Sequence, residues 1–204
     1  MERMLVVTTP AADRRVVTPT ELAADLGPLA AAMDDAALGA LADAASAMIA
    51  ASCNVEIFSE SVVETFWLDE PRDRLFLERT PVATGATVSV DGVALVPEDV
   101  LIDVQTGAMR RLSAGALTAW PCGKVAVAYT GGYAAGAAPV ALKVACLSVA
   151  RRLNAGRTRV PFLKSEEVPG VLTQTFWVGQ TGAAALNADE AALIGPFIRR
   201  RVGA

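Results

Sequence analysis

Residues 125–145, VAVAYTGGYAAGAAPVALKVA, join two apolar patterns of different period, and this junction constrains the fold more than any other stretch. Before the glycine pair, the residues alternate with a period of two, which predicts a β-strand. After Pro139, apolar residues recur at spacings of three and four, which predicts an α-helix beginning at this proline. Gly131 and Gly132 allow the positive φ angles that a tight exit from the strand requires. These glycines and Pro139 are therefore predicted to form a structural turn.

A phosphate-binding loop is the alternative role for these glycines. The spacing of Gly131, Gly132 and Gly136 matches neither the G-x-G-x-x-G of dinucleotide-binding proteins nor a P-loop, which ends in Lys-Ser or Lys-Thr. The loop also contains no lysine that could contact a phosphate. The pattern therefore favours an architectural turn, and no cofactor is expected.

Helical patterns begin the chain. Thr18-Pro19-Thr20-Glu21 combines an N-cap, a proline at the first helical position and a capping box. A longer helix is predicted from Asp34 or Asp35 to about Cys53-Asn54, because its apolar residues recur at spacings of three and four. We therefore expect two helices before residue 55.

Residues 55–130 have the composition of β-strands. Ser61–Leu68 is rich in β-branched and aromatic residues, and Lys124–Thr130 alternates with a period of two. Asp91-Gly92 and Thr106-Gly107 are turn signals between apolar runs. Turn signals at intervals of about ten to fifteen residues predict a small antiparallel sheet or sandwich.

The C-terminal part of the chain contains a long segment and a helix. Residues 157–188 are polar and glycine-bearing, and a loop of this length is usually functional or disordered. We expect this segment to be mobile in the free chain and ordered against a partner. Asn187 is expected to cap a final helix from about Ala188 to Arg201, which Pro196 should kink or break.

The predicted fold class is α+β: a small bundle of three to four helices interrupted by an antiparallel β insertion. Residues 1–54 and 134–204 are assigned to the helical core and residues 55–133 to the insertion, within one continuous domain. No run of about eighteen uncharged apolar residues occurs, so no membrane span is expected. The first residues lack the apolar core and cleavage site of a signal peptide, which favours a cytosolic origin.

The sequence contains no histidine, which removes Ser-His-Asp and Cys-His triads and the usual zinc ligands. Cys53, Cys122 and Cys146 are far apart and are expected to be buried small hydrophobes, not metal ligands. Adjacent acids such as Asp34-Asp35 point apart and do not form an acid–base pair. We expect no catalytic residues and no metal site. The alternative is a carboxylate-dependent hydrolase or a small-ligand binding protein with a β insertion, and it needs a deep pocket in which two acids converge.

The net charge of −4 hides an uneven distribution. Residues 1–103 carry 18 acids and 6 bases, whereas residues 104–165 carry nine bases and no acid. Such asymmetry is found in proteins with a nucleic-acid face and in proteins with two surfaces that bind each other. It also arises when charges are spread over separate solvated faces, and the sequence leaves these three interpretations open.

The order of several motifs resembles the phage head–tail connector family, the adaptor proteins that form a ring beneath the portal. The strongest likeness is VAVAYTGGYAAGAAPVALKVACLSVARRL, a strand ending in Tyr-Thr-x-Gly-Tyr, then a spacer, a proline and a helix. VVTPTELAADLG and DDAALGALADAASAMIAASCN resemble the family's short first helix and its first long helix. LERTPVATGATVSVDGVAL, LIDVQTGAMRRL and EEVPGVLTQTFW follow in the family's order, so the likeness covers about residues 16–201.

The resemblance implies a non-enzymatic structural protein of the virion neck, assembled in the host cytoplasm. It implies a ring, usually of twelve copies, between the portal and the next neck or tail component. Double-stranded DNA would pass through the central channel without sequence-specific binding. The family's C-terminal segment typically reaches the portal, so the resemblance implies portal contacts at Phe197, Arg199, Arg200 and Arg201.

A closed ring of identical copies needs two different faces that meet each other. The acidic first half of the chain and the acid-free middle are candidates for these faces, because opposite charges would fix direction and register. The candidate residues of the basic face are Arg110, Arg111, Arg151, Arg152, Arg157 and Arg159.

Overall fold

The computed structural model describes residues 1–54, 56–157, 165–168, 172–175 and 186–198, with the backbone alone described for Arg157 and for the two four-residue segments. The chain divides into two compact units. The first, called here the β unit, comprises Met1–Arg15, Cys53–Ala138 and Ile198–Ala204. The second, called here the helical unit, comprises Val16–Ser52 and Pro139–Phe197.

The described strands of the β unit form two antiparallel sheets. A five-stranded sheet has the order β1-β2-β9-β4-β5, and a second sheet has the order β3-β7-β6, with β8 also paired to β7. In chain order these strands are β1 (Glu2–Thr9), β2 (Glu60–Leu68), β3 (Leu75–Phe76), β4 (Thr87–Val90), β5 (Val93–Ala94), β6 (Val100–Ile102), β7 (Ala108–Ser113), β8 (Ala116–Thr118) and β9 (Gly123–Gly131).

The two sheets of the β unit share one apolar core. Alternate residues of β2 and β9 are buried, as expected for strands with one face on a core. Trp120, Met109 and Phe66 are almost completely buried in this cluster. The core residues contributed by the five-stranded sheet are Val62, Phe66, Leu68, Val88, Val125, Val127 and Tyr129.

Strand β1 differs from the sequence-based assignment. The sequence predicts that residues 1–54 belong to the helical core, but Met1–Arg15 belongs to the β unit. The reason is that β1 pairs antiparallel with β2, from Glu2 opposite Trp67 to Thr9 opposite Ser61. The partner strand lies more than fifty residues away, and local patterns do not report pairing over that distance.

The helices of the helical unit are α1 (Pro19–Leu26), α2 (Asp35–Cys53), α3 (Val140–Arg157) and α4 (Ala188–Ile194). The same unit contains the antiparallel hairpin of β10 (Ser165–Val168) and β11 (Leu172–Thr175). Helices α1 and α4 both contact α3. The predicted α+β class, with helices and antiparallel sheets, is confirmed.

The helix boundaries follow the predicted capping signals. Thr18 caps α1 and forms a capping box with Glu21, and Asn187 caps α4 in the same way. The final helix is shorter than predicted, because α4 ends at Ile194 and continues as a 3₁₀ turn over Gly195–Phe197. Pro196 lies within this turn and has no N–H to donate to an α-helical hydrogen bond.

By length and composition alone, helix α2 is long and apolar enough to span a membrane, and 39% of its apolar stretch is buried. Core helices meet the same criteria. One face of α2 is buried, including Leu41, Ala45 and Ile49, and the buried Ser46 accepts a hydrogen bond from the N–H of Val16 at 2.9 Å. This pattern is that of a core helix.

Candidate functional site

The glycine turn after β9 is a point of close backbone approach. Gly132 has a φ of 103°, and a Cβ on it would lie 2.2 Å from the carbonyl oxygen of Phe58. A Cβ on Gly131 would lie 2.5 Å from the carbonyl oxygen of Arg79, and the Gly132 N–H donates to the carbonyl of Pro81 at 2.9 Å. Pro139 stands directly before α3, and its carbonyl accepts from the Lys143 N–H at 3.1 Å. Gly131 and Gly132 are thus packed closely against backbone, which supports the architectural role of this turn.

Two glutamates on β2 are buried in the β unit, which the sequence analysis did not predict. The Glu64 side chain is fully buried, and its Oε2 accepts from the Tyr129 hydroxyl at 2.7 Å and from the Glu78 N–H at 2.9 Å. The guanidinium Nε of Arg3 lies 3.3 Å from Oε1 of the same carboxylate. Burial and the negative charge of Glu64 raise the pKa of Tyr129, so this hydroxyl stays protonated and donates.

The second buried glutamate, Glu60, is held by two arginines. Arg14 Nη2 donates to Oε1 at 2.8 Å, and Arg79 Nε lies 3.4 Å from Oε2. Buried carboxylates need such partners, because an unpaired buried charge is strongly destabilising. Through these pairs Glu60 joins the start of β2 to the segments that carry Arg14 and Arg79.

The described residues provide little of what the hydrolase alternative needs. An open cleft of about 640 Å³ in the β unit is lined by Met1, Arg3, Phe66, Pro71, Arg72, Asp73, Arg74, Leu75 and Phe76. Its lining contains one carboxylate, Asp73. Within the described part of the chain, no three acidic or cysteine side chains converge in a way that could hold a metal ion.

The three cysteines do not share one environment. Burial raises the pKa of Cys53 and of Cys146 to about 11, so both are poor nucleophiles, as expected for small core residues. Cys122 is exposed, contrary to the expectation, because it lies just before β9, where its thiol donates to the Asp69 carbonyl at 3.5 Å.

Two of the predicted basic-face residues lie on β7 with opposite orientations. Arg111 is opposite Val100 and shares the strand face of the buried Met109. Arg110 is opposite Leu101 on the other face. Neither arginine forms an ion pair with another described residue.

The face that carries Arg110 is apolar and exposed. Phe76, Leu101 and Leu117 lie on it and are 49%, 55% and 59% exposed. Exposed apolar residues around a cation are common at protein–protein interfaces. Arg110 is therefore the predicted basic-face residue of the β unit that is best placed to meet a partner.

The predicted basic residues of α3 are engaged within the chain. Arg151 forms a two-fold ion pair with Asp25 of α1, with Nε donating to Oδ2 at 2.7 Å, and this pair raises the pKa of Arg151. Arg152 Nη2 donates to Glu190 at 3.1 Å. The side chain of Arg157, at the end of α3, and all of Arg159 lie outside the described residues. The structure thus does not bring the six arginines into one described cluster.

Glu190 joins α4 to α3 and is almost completely buried. Its carboxylate accepts from the Ser148 hydroxyl at 2.9 Å, from Arg152, and from the Asn187 N–H at 2.9 Å. This attachment positions Phe197, which follows α4 and is half-buried. Arg199, Arg200 and Arg201, the other predicted portal contacts, lie outside the described residues.

Comparison with known proteins gives structural matches alone. No protein-family model and no curated protein matches the chain. A chain in "Neck of empty GTA particle computed with C6 symmetry" is 23% identical, with a TM-score of 0.58, and one in "Virion of native gene transfer agent (GTA) particle" is 22% identical, with a TM-score of 0.59. A chain in "Neck of native GTA particle computed with C12 symmetry" is 21% identical, with a TM-score of 0.55. Each match covers 98% of this chain and 97% of the other. At this identity the likeness establishes the fold.

Proposed function

We propose that the chain is a structural neck protein of a phage-like particle, a head–tail connector that forms a ring and joins the portal to the next neck or tail component. The observation that carries the proposal is the fold, which matches chains from gene transfer agent necks over 98% of the present chain. The connector-like order of sequence motifs supports it from a separate direction.

The ring of this proposal has twelve copies, surrounds a channel for double-stranded DNA and lies in the virion neck after assembly in the host cytoplasm. Two of the matching structures carry C6 or C12 symmetry in their descriptions. Both symmetries are compatible with twelve copies, because a twelve-fold ring contains the six-fold operation. We propose a non-catalytic role because Glu60 and Glu64 of β2 and Glu190 of α4 are each paired internally.

Contacts between copies in this ring are assigned to the acidic first half of one chain and the acid-free middle of the next. Arg110 is the described basic residue that supports this assignment best, because it lies on an exposed apolar face without a described acidic partner. Arg151 and Arg152 already have acids within their own chain and contribute less.

Portal binding is assigned to Phe197 and to the three arginines Arg199, Arg200 and Arg201. Sedimentation of the purified chain mixed with the portal protein of the same particle tests the proposal, and a complex larger than either component is expected. Phe197→Ala and the combined change of the three arginines to alanine should each weaken this complex at least tenfold. The matched control is Val93→Ala, an exposed apolar residue of β5 to which no contact is assigned. The absence of any complex between the unchanged chain and the portal would contradict the proposal.

A further inference from the structure

Strand β1 is an edge of the five-stranded sheet, and its outer side has no strand partner among the described residues. Seven of its eight residues are exposed. The sequence ERMLVVTT is rich in β-branched and apolar residues, which favours continued strand pairing. An edge of this kind offers a row of backbone N–H and C=O groups to another chain.

The devices that usually protect a sheet edge are largely missing from β1. The strand contains no proline and no lysine, and the side chain of Arg3 is turned towards Glu64 and Glu78. The register shifts only at the end of the strand, between Val7 and Thr9. Met4 and Val6 are 49% and 46% exposed. At the other edge of the same sheet, β5 is only two residues long, which is a common form of protection.

The hairpin β10–β11 has the complementary property. Among the described residues it is a two-stranded sheet by itself, with four residues in each strand. An isolated hairpin is marginally stable in water and gains stability when it joins a larger sheet. Strand β11, LTQT, carries no charge and suits the apolar β1, whereas β10, SEEV, carries two acids.

We propose that β11 of one copy adds to the free edge of β1 in the neighbouring copy, so that the ring is closed by a continuous sheet across each subunit boundary. This inference rests on the proposed ring. A cyclic assembly needs two different surfaces at each contact, so β1 pairs with a strand other than β1 of the next copy. The described strands at other sheet edges have two or three residues, which leaves β10–β11 as the longest described donor.

Hydrogen exchange of the full chain, measured in the isolated chain, in the ring and in the ring with portal added, tests the inference. In the isolated chain, those β1 amides that point away from β2 should exchange fast. Ring formation should slow the exchange of these amides and of β11 amides at least tenfold. A ring in which β1 exchanges as fast as before would overturn the inference and leave the proposed function intact.

Other results also decide the question. Protection of β1 already in the isolated chain would show that the chain covers its own edge, and protection only after portal addition would assign the edge to the portal. Both outcomes overturn the inference. A chain that forms no ring under any condition contradicts the proposed function, and the inference fails with it.

A pair of lysine variants provides the matched control. Val6 lies in one cross-strand row with Val63, Ala128 and Thr87, so Val6 and Thr87 share the outer face of the sheet. Val6→Lys combined with Met4→Lys should reduce the ring fraction at least tenfold, because edge lysines disfavour strand addition. Thr87→Lys, which lies inside the sheet on β4, should leave it unchanged. An equal effect of the double variant and of Thr87→Lys would contradict strand addition.

Discussion

At Gly132 the backbone conformation and the packing both require glycine. Gly132→Ala should lower the free energy of unfolding by about 3 kcal/mol or more, because the new Cβ would overlap the Phe58 carbonyl and the φ angle is unfavourable for alanine. Urea denaturation measures this change.

Gly136→Ala is the control for conformation without overlap. Gly136 also has a positive φ, of 72°, but nothing lies within 4 Å of its built Cβ. Gly136→Ala should lower the free energy of unfolding by about 1–2 kcal/mol. Equal losses for the two variants would mean that the contact with Phe58 contributes nothing.

Tyr129 connects two segments of the β unit through its hydroxyl, which donates to Glu64 and accepts from the Arg79 N–H at 3.0 Å. Tyr129→Phe should destabilise the protein by about 1–3 kcal/mol, because it leaves two buried polar groups without this partner. Tyr133→Phe is the control, since no described residue bonds the Tyr133 hydroxyl, and its effect should stay within about 0.5 kcal/mol. Thermal unfolding followed by circular dichroism compares the two variants.

Residues whose role depends on near neighbours could be predicted from the sequence. The caps at Thr18 and Asn187 depend on partners three residues away, and both predictions are confirmed. The burial of Glu64 could not be predicted, because its partner Tyr129 lies 65 residues further along the chain. The one local signal is that Glu60 and Glu64 lie on the same strand face as Val62 and Phe66.

At the scale of elements, the buried carboxylate of Glu190 attaches α4 to α3. Glu190→Ala should lower the free energy of unfolding by about 2–4 kcal/mol, because it removes the acceptor for the Asn187 N–H and for Ser148 and Arg152 on α3. Hydrogen exchange should show α4 opening before α3. Asp189→Ala, an exposed acid in the same first turn, should cost less than about 1 kcal/mol. If both variants left α4 equally protected, Glu190 would not be the attachment point.

Most elements could be predicted from periodicity and turn chemistry. Helix α2 and the hairpin of β4 and β5 around Asp91-Gly92 formed where the patterns placed them. The break of the last helix near Pro196 was also predicted, because proline has no N–H to donate. The exception is strand β1, which depends on long-range pairing with β2.

At the scale of the whole molecule, the charge asymmetry predicts how assembly responds to salt. If Arg110 meets acids of a neighbouring copy, Arg110→Glu should weaken ring formation at least tenfold, and added salt should weaken the unchanged ring. Arg151→Ala is the control, because its partner Asp25 belongs to the same chain. Native mass spectrometry over a salt series measures the ring fraction of the unchanged chain and of the two variants. A ring that is indifferent to salt up to about 1 M, where the Debye length is roughly 3 Å, would contradict this interface.

The mobility expected for residues 157–188 stays a prediction. Of this segment the structure describes residues 157, 165–168, 172–175 and 186–188. Assembly should order this segment if β11 joins a neighbouring copy. Limited proteolysis of free and assembled protein would compare the two states, and equal resistance would contradict the prediction.

We propose that this protein binds copies of itself and the portal. Electron microscopy of the purified chain, alone and with its portal, tests this most directly. We expect rings with twelve-fold symmetry, stacked coaxially on the portal when both are present. Images that show only single, separate chains after the portal is added would contradict it.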